Sequence, residues 1–170
     1  TGPFYHQQKE LGAEFYQSGG WESAQWYEHN ADLVEEYEEQ LPDQDGWQGI
    51  NRSKIEGAEH LHTRDAVSMF DMTSFSSIVV EGADAGDFLQ RMCSNDVDVD
   101  VGDVRYSLLL NEGGGILADV TVVGLDDDRY MVTTGGGNSP GIHGGWLKER
   151  APETVSVNIE EGAKSTIGLW

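Results

Sequence analysis

The sequence predicts an α+β fold: an antiparallel or mixed sheet with helices packed on one face. Three observations carry that expectation. Segments 106–111, 116–124 and 130–134 are rich in β-formers and follow one another across connections of hairpin length. The β-branched run SIVVEG precedes a helical pattern with apolar positions Ala85, Phe88, Leu89 and Met92. The overall order is helix, β, α, β, β, β, α, β, β, which lacks the regular βα alternation of a parallel sheet.

In chain order, residues 1–30 hold the aromatic segment FYQSGGWESAQWY. Gly19-Gly20 divides it into a short helical or irregular lead and a second aromatic patch whose rings need a surface to lie on. Residues 31–50 are acidic and poor in aliphatic side chains, with turns at Leu41-Pro42-Asp43 and Asp45-Gly46. They are expected to form an exposed insertion pinned to the body by Trp47. From 55 to 69, Ala58, Leu61, Ala66 and Met69 recur at roughly helical spacing, with His60, His62 and Arg64 between them, so an amphipathic helix is expected there.

Ala83-Asp84-Ala85 opens the next helix, which ends near Cys93-Ser94-Asn95. After the three hairpin strands, NSPGIHGGWLKER begins a helix with Ser139 as cap and Pro140 in its first turn. Residues 154–159 and 166–169 read as closing strands. The chain thus divides into a lead of residues 1–54, containing the acidic insertion 31–50, and a main body of residues 55–170.

Charge narrows the partners. Acids outnumber bases 31 to 10, a formal charge of −21, and the lysines are Lys9, Lys54, Lys148 and Lys164. A polyphosphate backbone is a poor partner for such a surface. The acids are spread through EEYEEQ, NDVDVDVGD, DDD and IEE, a distribution suited to concentrated salt, where the Debye length falls to about 3 Å at 1 M. A halophilic source is the expectation. A single cysteine, Cys93, excludes an internal disulfide framework and fits a reducing compartment. No apolar run long enough for a membrane span and no secretory leader are visible, so a cytoplasmic protein is expected, with neither membrane nor nucleic acid as partner. Opening on Thr1 and stopping at IGLW, the chain reads as a piece of something longer.

Most motif-like features carry no chemistry. Asp96-Val97-Asp98-Val99-Asp100 begins like a calcium loop, but Val101 stands where that loop needs glycine and Ser107 where it needs glutamate. An acidic edge with inward valines is the simpler reading. His60 and His62 are two residues apart and fall on different faces of a helix, so no metal is expected. The glycines at 135–137 lack the Lys-Ser/Thr ending of a phosphate loop, and no strand-GxGxxG-helix unit occurs. Cys93 has no base near it in sequence and is read as a packed thiol.

The richest stretch is YSLLLNEGGGILADVTVV, 106–123, where two apolar strands flank a glycine turn and the second carries one acid, Asp119. Burying even a neutral polar group without a partner costs roughly 2–7 kcal/mol. Asp119 must therefore face solvent, pair with Arg105 or Arg129, or serve a ligand.

Four motifs in order, GAEFYQSGGWE, AVSMFDMTSF, VVEGADAGDFLQRMCSNDV and GDVRYSLLLNEGGGILADVTVV, resemble the amino-terminal half of the glycine-cleavage T-protein family, the folate-dependent aminomethyltransferases. The resemblance runs from about Leu11 to the end, interrupted by the acidic insertion. FDMTSF and LQRMCSNDV are similar in wording to the folate domains fused behind flavin-dependent dimethylglycine and sarcosine dehydrogenases. The resemblance implies the first part of the T-protein folate-binding fold, with residues 55–170 as the first folate-binding subdomain. It implies an aminomethyltransferase-like enzyme that moves a one-carbon unit, aminomethyl or methylene, to tetrahydrofolate. FAD is implied only if a flavin domain precedes this chain.

The donor implied is an aminomethyl group or a methylated amine, delivered by a lipoyl carrier protein or by a fused flavin dehydrogenase domain. By the resemblance, Asp119 falls on the family acid that meets the pterin-linked nitrogens of tetrahydrofolate and steers the transfer as catalytic residue. Tyr106 matches a tyrosine lining the folate pocket, and Thr121 and Phe75 fall on neighbouring positions that contact folate. Asp71, in FDMTSF, is expected to be a capping or turn carboxylate.

Two departures stand out. Ala118 replaces the first of a paired acid, and Gly135 sits where a polar strand-end residue is usual. The family's later glutamate and arginine, which bind the pterin ring and the glutamate tail, would lie beyond Trp170, so these 170 residues alone are expected to be inactive. Two other functions fit the same resemblance: a non-catalytic folate-binding or assembly domain, and a folate-dependent demethylase.

Overall fold

A computed structural model describes residues 2–18, 20–43, 52–136, 139–160 and 165–170. They fall into two compact units, one comprising the residues up to Thr73 together with Ser165–Trp170, the other running from Ser74 onward.

The second unit contains β4 (Ser76–Glu81), α4 (Ala85–Met92), β5 (Val104–Leu110), β6 (Ile116–Asp126), β7 (Arg129–Thr134), α5 (Ser139–Arg150) and β8 (Ser156–Glu160). The five strands form one sheet in the order β5-β6-β7-β4-β8, every pairing antiparallel. Alternation assigns the faces. On β6, Ala118, Val120 and Val122 are buried while Asp119 and Thr121 are not. Ala118, Val120 and Val122 join Ile78, Val80, Leu109, Val132 and Val157 in a core closed by Ala85, Phe88 and Leu89 of α4 and Leu147 of α5. Both helices therefore lie on one face, as the α+β expectation requires.

Glycine lets α5 approach closely. A Cβ at Gly144 would stand 2.8 Å from Ile159 Cγ1, so a larger residue would push the helix off the sheet. Val97 and Val99 turn into the core, whereas Val101 is exposed. Asp96 Oδ1 accepts from the Asp98 N–H at 3.2 Å, so this carboxylate shapes its own loop. Burial raises the Tyr130 hydroxyl pKa, and the carboxylates of Asp98, Asp127, Asp128 and Asp87 raise it further.

The first unit holds α1 (Tyr5–Glu10), a β1 (Ala13–Ser18) and β2 (Trp21–Tyr27) hairpin, α2 (Leu33–Glu36), α3 (Lys54–Asp65), and an antiparallel ribbon of β3 (Met69–Asp71) with β9 (Ile167–Leu169). Where the sequence suggested a short helical or irregular lead and a second aromatic patch, a short helix, α1, is followed by this hairpin, with the aromatic residues on its two strands. Gly20, at φ +89°, supplies the left-handed turn residue. α3 starts at a Ser53 cap that accepts from the Ile55 N–H at 3.1 Å and ends at Asp65. The apolar spacing carries the expected helix on to Met69, but Met69 is an exposed strand residue paired with Leu169. The 166–169 strand thus joins this ribbon, and the sequence division at residue 54 falls on the first turn of α3.

In the acidic stretch, Tyr37 is buried to 4% exposure and donates to Asp65 Oδ2 at 2.9 Å. Burial, then that hydrogen bond, push its hydroxyl up to about 12. Asp45-Gly46 and Trp47 lie outside the described residues. Glu59 of α3 accepts from the Tyr27 N–H at 3.0 Å and from Asn30 Nδ2 at 2.7 Å. Burial raises its pKa, and these two hydrogen bonds partly offset the rise. Burial also raises the Tyr27 hydroxyl, against a lowering hydrogen bond from Gln8.

Candidate functional site

The site is built on the β5–β6 hairpin. Its turn is organised by Asn111, whose Oδ1 accepts from the N–H groups of Gly113 and Gly115, both at 2.9 Å, while Gly114 adopts φ +78°. This fixes the register: Leu109 faces Ala118, Leu108 faces Asp119 and Tyr106 faces Thr121. Directly opposed residues share a face of the sheet, so Tyr106, Leu108, Asp119 and Thr121 all lie on the face away from the helices. Tyr106 is diagonal to Asp119, a separation of roughly 7–8 Å between backbones.

On that face Asp119 is exposed and Thr121 half-buried, and Tyr106 is 60% exposed. Neither cationic candidate pairs with Asp119. Arg129 binds Glu81, Nε to Oε2 at 3.4 Å, and Arg105 sits opposite Val122, on the other face. The Asp119 carboxylate makes no hydrogen bond or ion pair with any other described residue. Of the three fates open to that carboxylate, the structure leaves solvent or a ligand. Phe75, 43% exposed, stands immediately before β4, two strands away from β6, and so is not in the Tyr106–Asp119–Thr121 group itself.

Sequence reasoning missed Leu108, the direct neighbour of Asp119, because a register shift between Leu109 and Leu110 moves the pairing by one residue, and an even count outward from the glycine turn lands on Ser107 instead. It also missed what guards the free edge of β5. The chain after α4 lies along it: the Ser94 N–H donates to Leu108 O at 2.9 Å, the Asn95 N–H to Ser107 Oγ at 3.0 Å, and Asn95 Nδ2 to Tyr106 O at 2.9 Å. These bonds satisfy an edge strand that would otherwise invite pairing, and they fix the backbone carrying Tyr106.

The remaining candidates stay structural. Burial pushes the Cys93 thiol up to about 11 against a hydrogen bond with Ser107, so it is a protonated, packed group at neutral pH. Asp71 accepts from the Thr73 N–H at 3.0 Å and from Gln8 Nε2 at 2.9 Å, the turn role expected of it. Among the described residues, no group of three or more His, Cys, Asp or Glu side chains could hold a metal ion, and no helix is long and apolar enough to cross a membrane.

Comparison with known proteins extends this picture. The family model described as the GCVT N-terminal domain matches residues 4–170. An aminomethyltransferase of Chloroherpeton thalassium is 36% identical over 100 residues, 58% of this chain and 27% of its own. One from Lysinibacillus sphaericus is 30% identical over 142 residues, 81% of this chain and 38% of its own. The crystal structure of glycine cleavage system aminomethyltransferase T from Bartonella henselae matches with a TM-score of 0.74 and 28% identity, covering 98% of this chain and 39% of that one. The chain thus spans well under half the length of these relatives. With the α+β architecture and the family model agreeing over nearly its whole length, the chain belongs to the GCVT N-terminal domain family.

Proposed function

We propose that the native polypeptide carrying this sequence is an enzyme that transfers a one-carbon unit, aminomethyl or methylene, to tetrahydrofolate, and that Asp119 is its catalytic carboxylate. One observation carries the reading. In a family whose relatives are named aminomethyltransferases, the acid on β6 is exposed, without a partner among the described residues, and bordered by an exposed tyrosine and a half-buried threonine. These residues fit the ligand. A heteroaromatic ring needs an apolar surface and a few placed polar groups, and Tyr106, Leu108, Thr121 and Asp119 offer both on one rigid sheet.

Tetrahydrofolate, when bound, supplies the nitrogens that take up the one-carbon unit. Asp119 holds or moves a proton at its carboxylate oxygens, Tyr106 lays its ring against the ligand, and Thr121 and Phe75 complete the contact. The folate-facing surface lies within residues 55–170, which we take as the first folate-binding subdomain. The donor is an aminomethyl group on a lipoyl carrier protein or a methylated amine. The wording of FDMTSF and LQRMCSNDV favours dimethylglycine or sarcosine, with FAD in a fused dehydrogenase domain. The charge of −21 supports a halophilic setting, and the single cysteine fits a reducing, cytoplasmic one.

Calorimetric titration of tetrahydrofolate into the native polypeptide in molar salt tests the reading. Binding is expected, and Tyr106→Ala should weaken it by about 0.5–1.5 kcal/mol beyond its lost contact area. An unchanged protein that takes up no tetrahydrofolate would contradict the proposal.

A further inference from the structure

Resting on the folate reading above, we propose that Asn95 is a positioning residue for ligand binding: its side-chain amide holds the edge-strand backbone that presents Tyr106. Tyr106 is 60% exposed, so packing does little to fix its ring. What fixes it is the main chain beneath, and β5 is an outermost strand of the sheet, with β6 on one side only. A sparsely contacted edge opens more readily than an interior strand, whereas a contact group must stay within about 0.5 Å of its productive place.

The clamp falls on the residues opposite Asp119 and Thr121. Leu108 turns both backbone groups outward: its carbonyl accepts from the Ser94 N–H at 2.9 Å, and its N–H donates to Ser94 Oγ at 3.4 Å. Strand alternation gives Tyr106, two residues earlier, the same outward backbone. Its carbonyl accepts from Asn95 Nδ2 at 2.9 Å. Tyr106 and Leu108 are thus non-hydrogen-bonded partners of Thr121 and Asp119, the kind of pair that stands closest, with Cα atoms about 4.5 Å apart.

Asparagine suits this place because one planar group carries both a donor and an acceptor. While Nδ2 donates to Tyr106, Oδ1 accepts from the Asp96 N–H at 2.9 Å, and the Asn95 N–H donates to Oγ of the buried Ser107 at 3.0 Å. The segment behind is anchored in turn. The Cys93 N–H donates to Leu89 O of α4 at 2.9 Å, the Val97 N–H donates to Gln90 Oε1 at 2.8 Å, and Val97 itself is in the core. Through Asn95 the backbone of Tyr106 is tied to α4 and the core.

The test is calorimetric titration of tetrahydrofolate, in molar salt, into the native polypeptide and its Asn95→Asp variant, each with Tyr106 intact and with Tyr106→Ala. Thermal melting checks that each protein is folded. Aspartate keeps the shape and the bond from Asp96 but sets an oxygen against the Tyr106 carbonyl oxygen, and the salt screens its charge. With Tyr106 intact, Asn95→Asp should weaken binding about two- to tenfold, the range of an aromatic contact, and no more than Tyr106→Ala does. In the Tyr106→Ala background it should change binding by less than about twofold, because the ring it positions is gone. An equal loss in both backgrounds would show a general effect on the fold and overturn the proposal, as would equal binding by folded Asn95→Asp and the unchanged protein. If Asn95→Asp melts without cooperativity, Asn95→Ala decides by the same comparison. Absence of binding by the unchanged protein overturns the folate reading, and this assignment with it.

Discussion

A carboxylate in a β-strand is informative because so few fates are open to it, and at Asp119 the register removes one of them. Arg129 is taken by Glu81 and Arg105 is on the other face. Sequence alone could list both arginines as partners but could not choose, because choosing needs the register of three strands. Leu108 was hidden for the same reason.

Elsewhere single residues behave as their surroundings dictate. With its pKa raised from 9.0 to about 11, Cys93 favours the folded state while it is protonated. That contribution is full below pH 9 and is lost as pH rises toward 11. Iodoacetamide should label the native thiol far more slowly than the urea-unfolded one at pH 8.5, and equal rates would contradict its burial. For Glu59, also shifted upward, the native state holds its proton to higher pH than the unfolded chain, so its contribution declines as pH rises above the ordinary range of 4.5. Glu59→Gln should flatten that part of the melting-temperature profile between pH 4.5 and 7, and a profile identical to that of the unchanged protein would show that the shift is absent.

At the scale of elements, the second unit was legible because each strand buries one face and alternation shows in the sequence; β5, β6, β7 and α4 fall within a few residues of their expected limits. The lead was not. Strand β1 is mostly exposed, so no alternation marks it, and the hairpin rests on a glycine turn and backbone pairing. Met69 misled through a chance helical spacing.

Two adjacent glycines of α5 separate propensity from packing. Replacing glycine by alanine in a helix interior gains about 1 kcal/mol. At Gly145, with open space around the Cβ, that gain should appear as a higher melting temperature. At Gly144 the Cβ meets Ile159 at 2.8 Å, and overpacking of about 1–3 kcal/mol should outweigh the gain and lower it. A rise at both positions would mean that α5 does not press on β8.

For the whole molecule, charge is the strongest influence that solvent conditions can change. A net −21 on 170 residues resists compaction unless salt screens it. The melting temperature should climb steadily from 0.05 M to 2 M KCl, and a flat response would remove the halophilic reading. Composition spoke to this scale directly, whereas the candidate face did not emerge from composition at all; it needed the resemblance to suggest Asp119 and the fold to set it near Tyr106 and Thr121.

The central claim is that Asp119 acts in the one-carbon transfer itself. The most direct measurement is turnover by the native polypeptide and its Asp119→Asn variant in molar salt, with tetrahydrofolate saturating and product folate quantified. Loss of a positioned acid–base group should lower kcat by about a hundredfold or more while the variant still binds tetrahydrofolate. A variant that turns over at the unchanged rate would contradict the account.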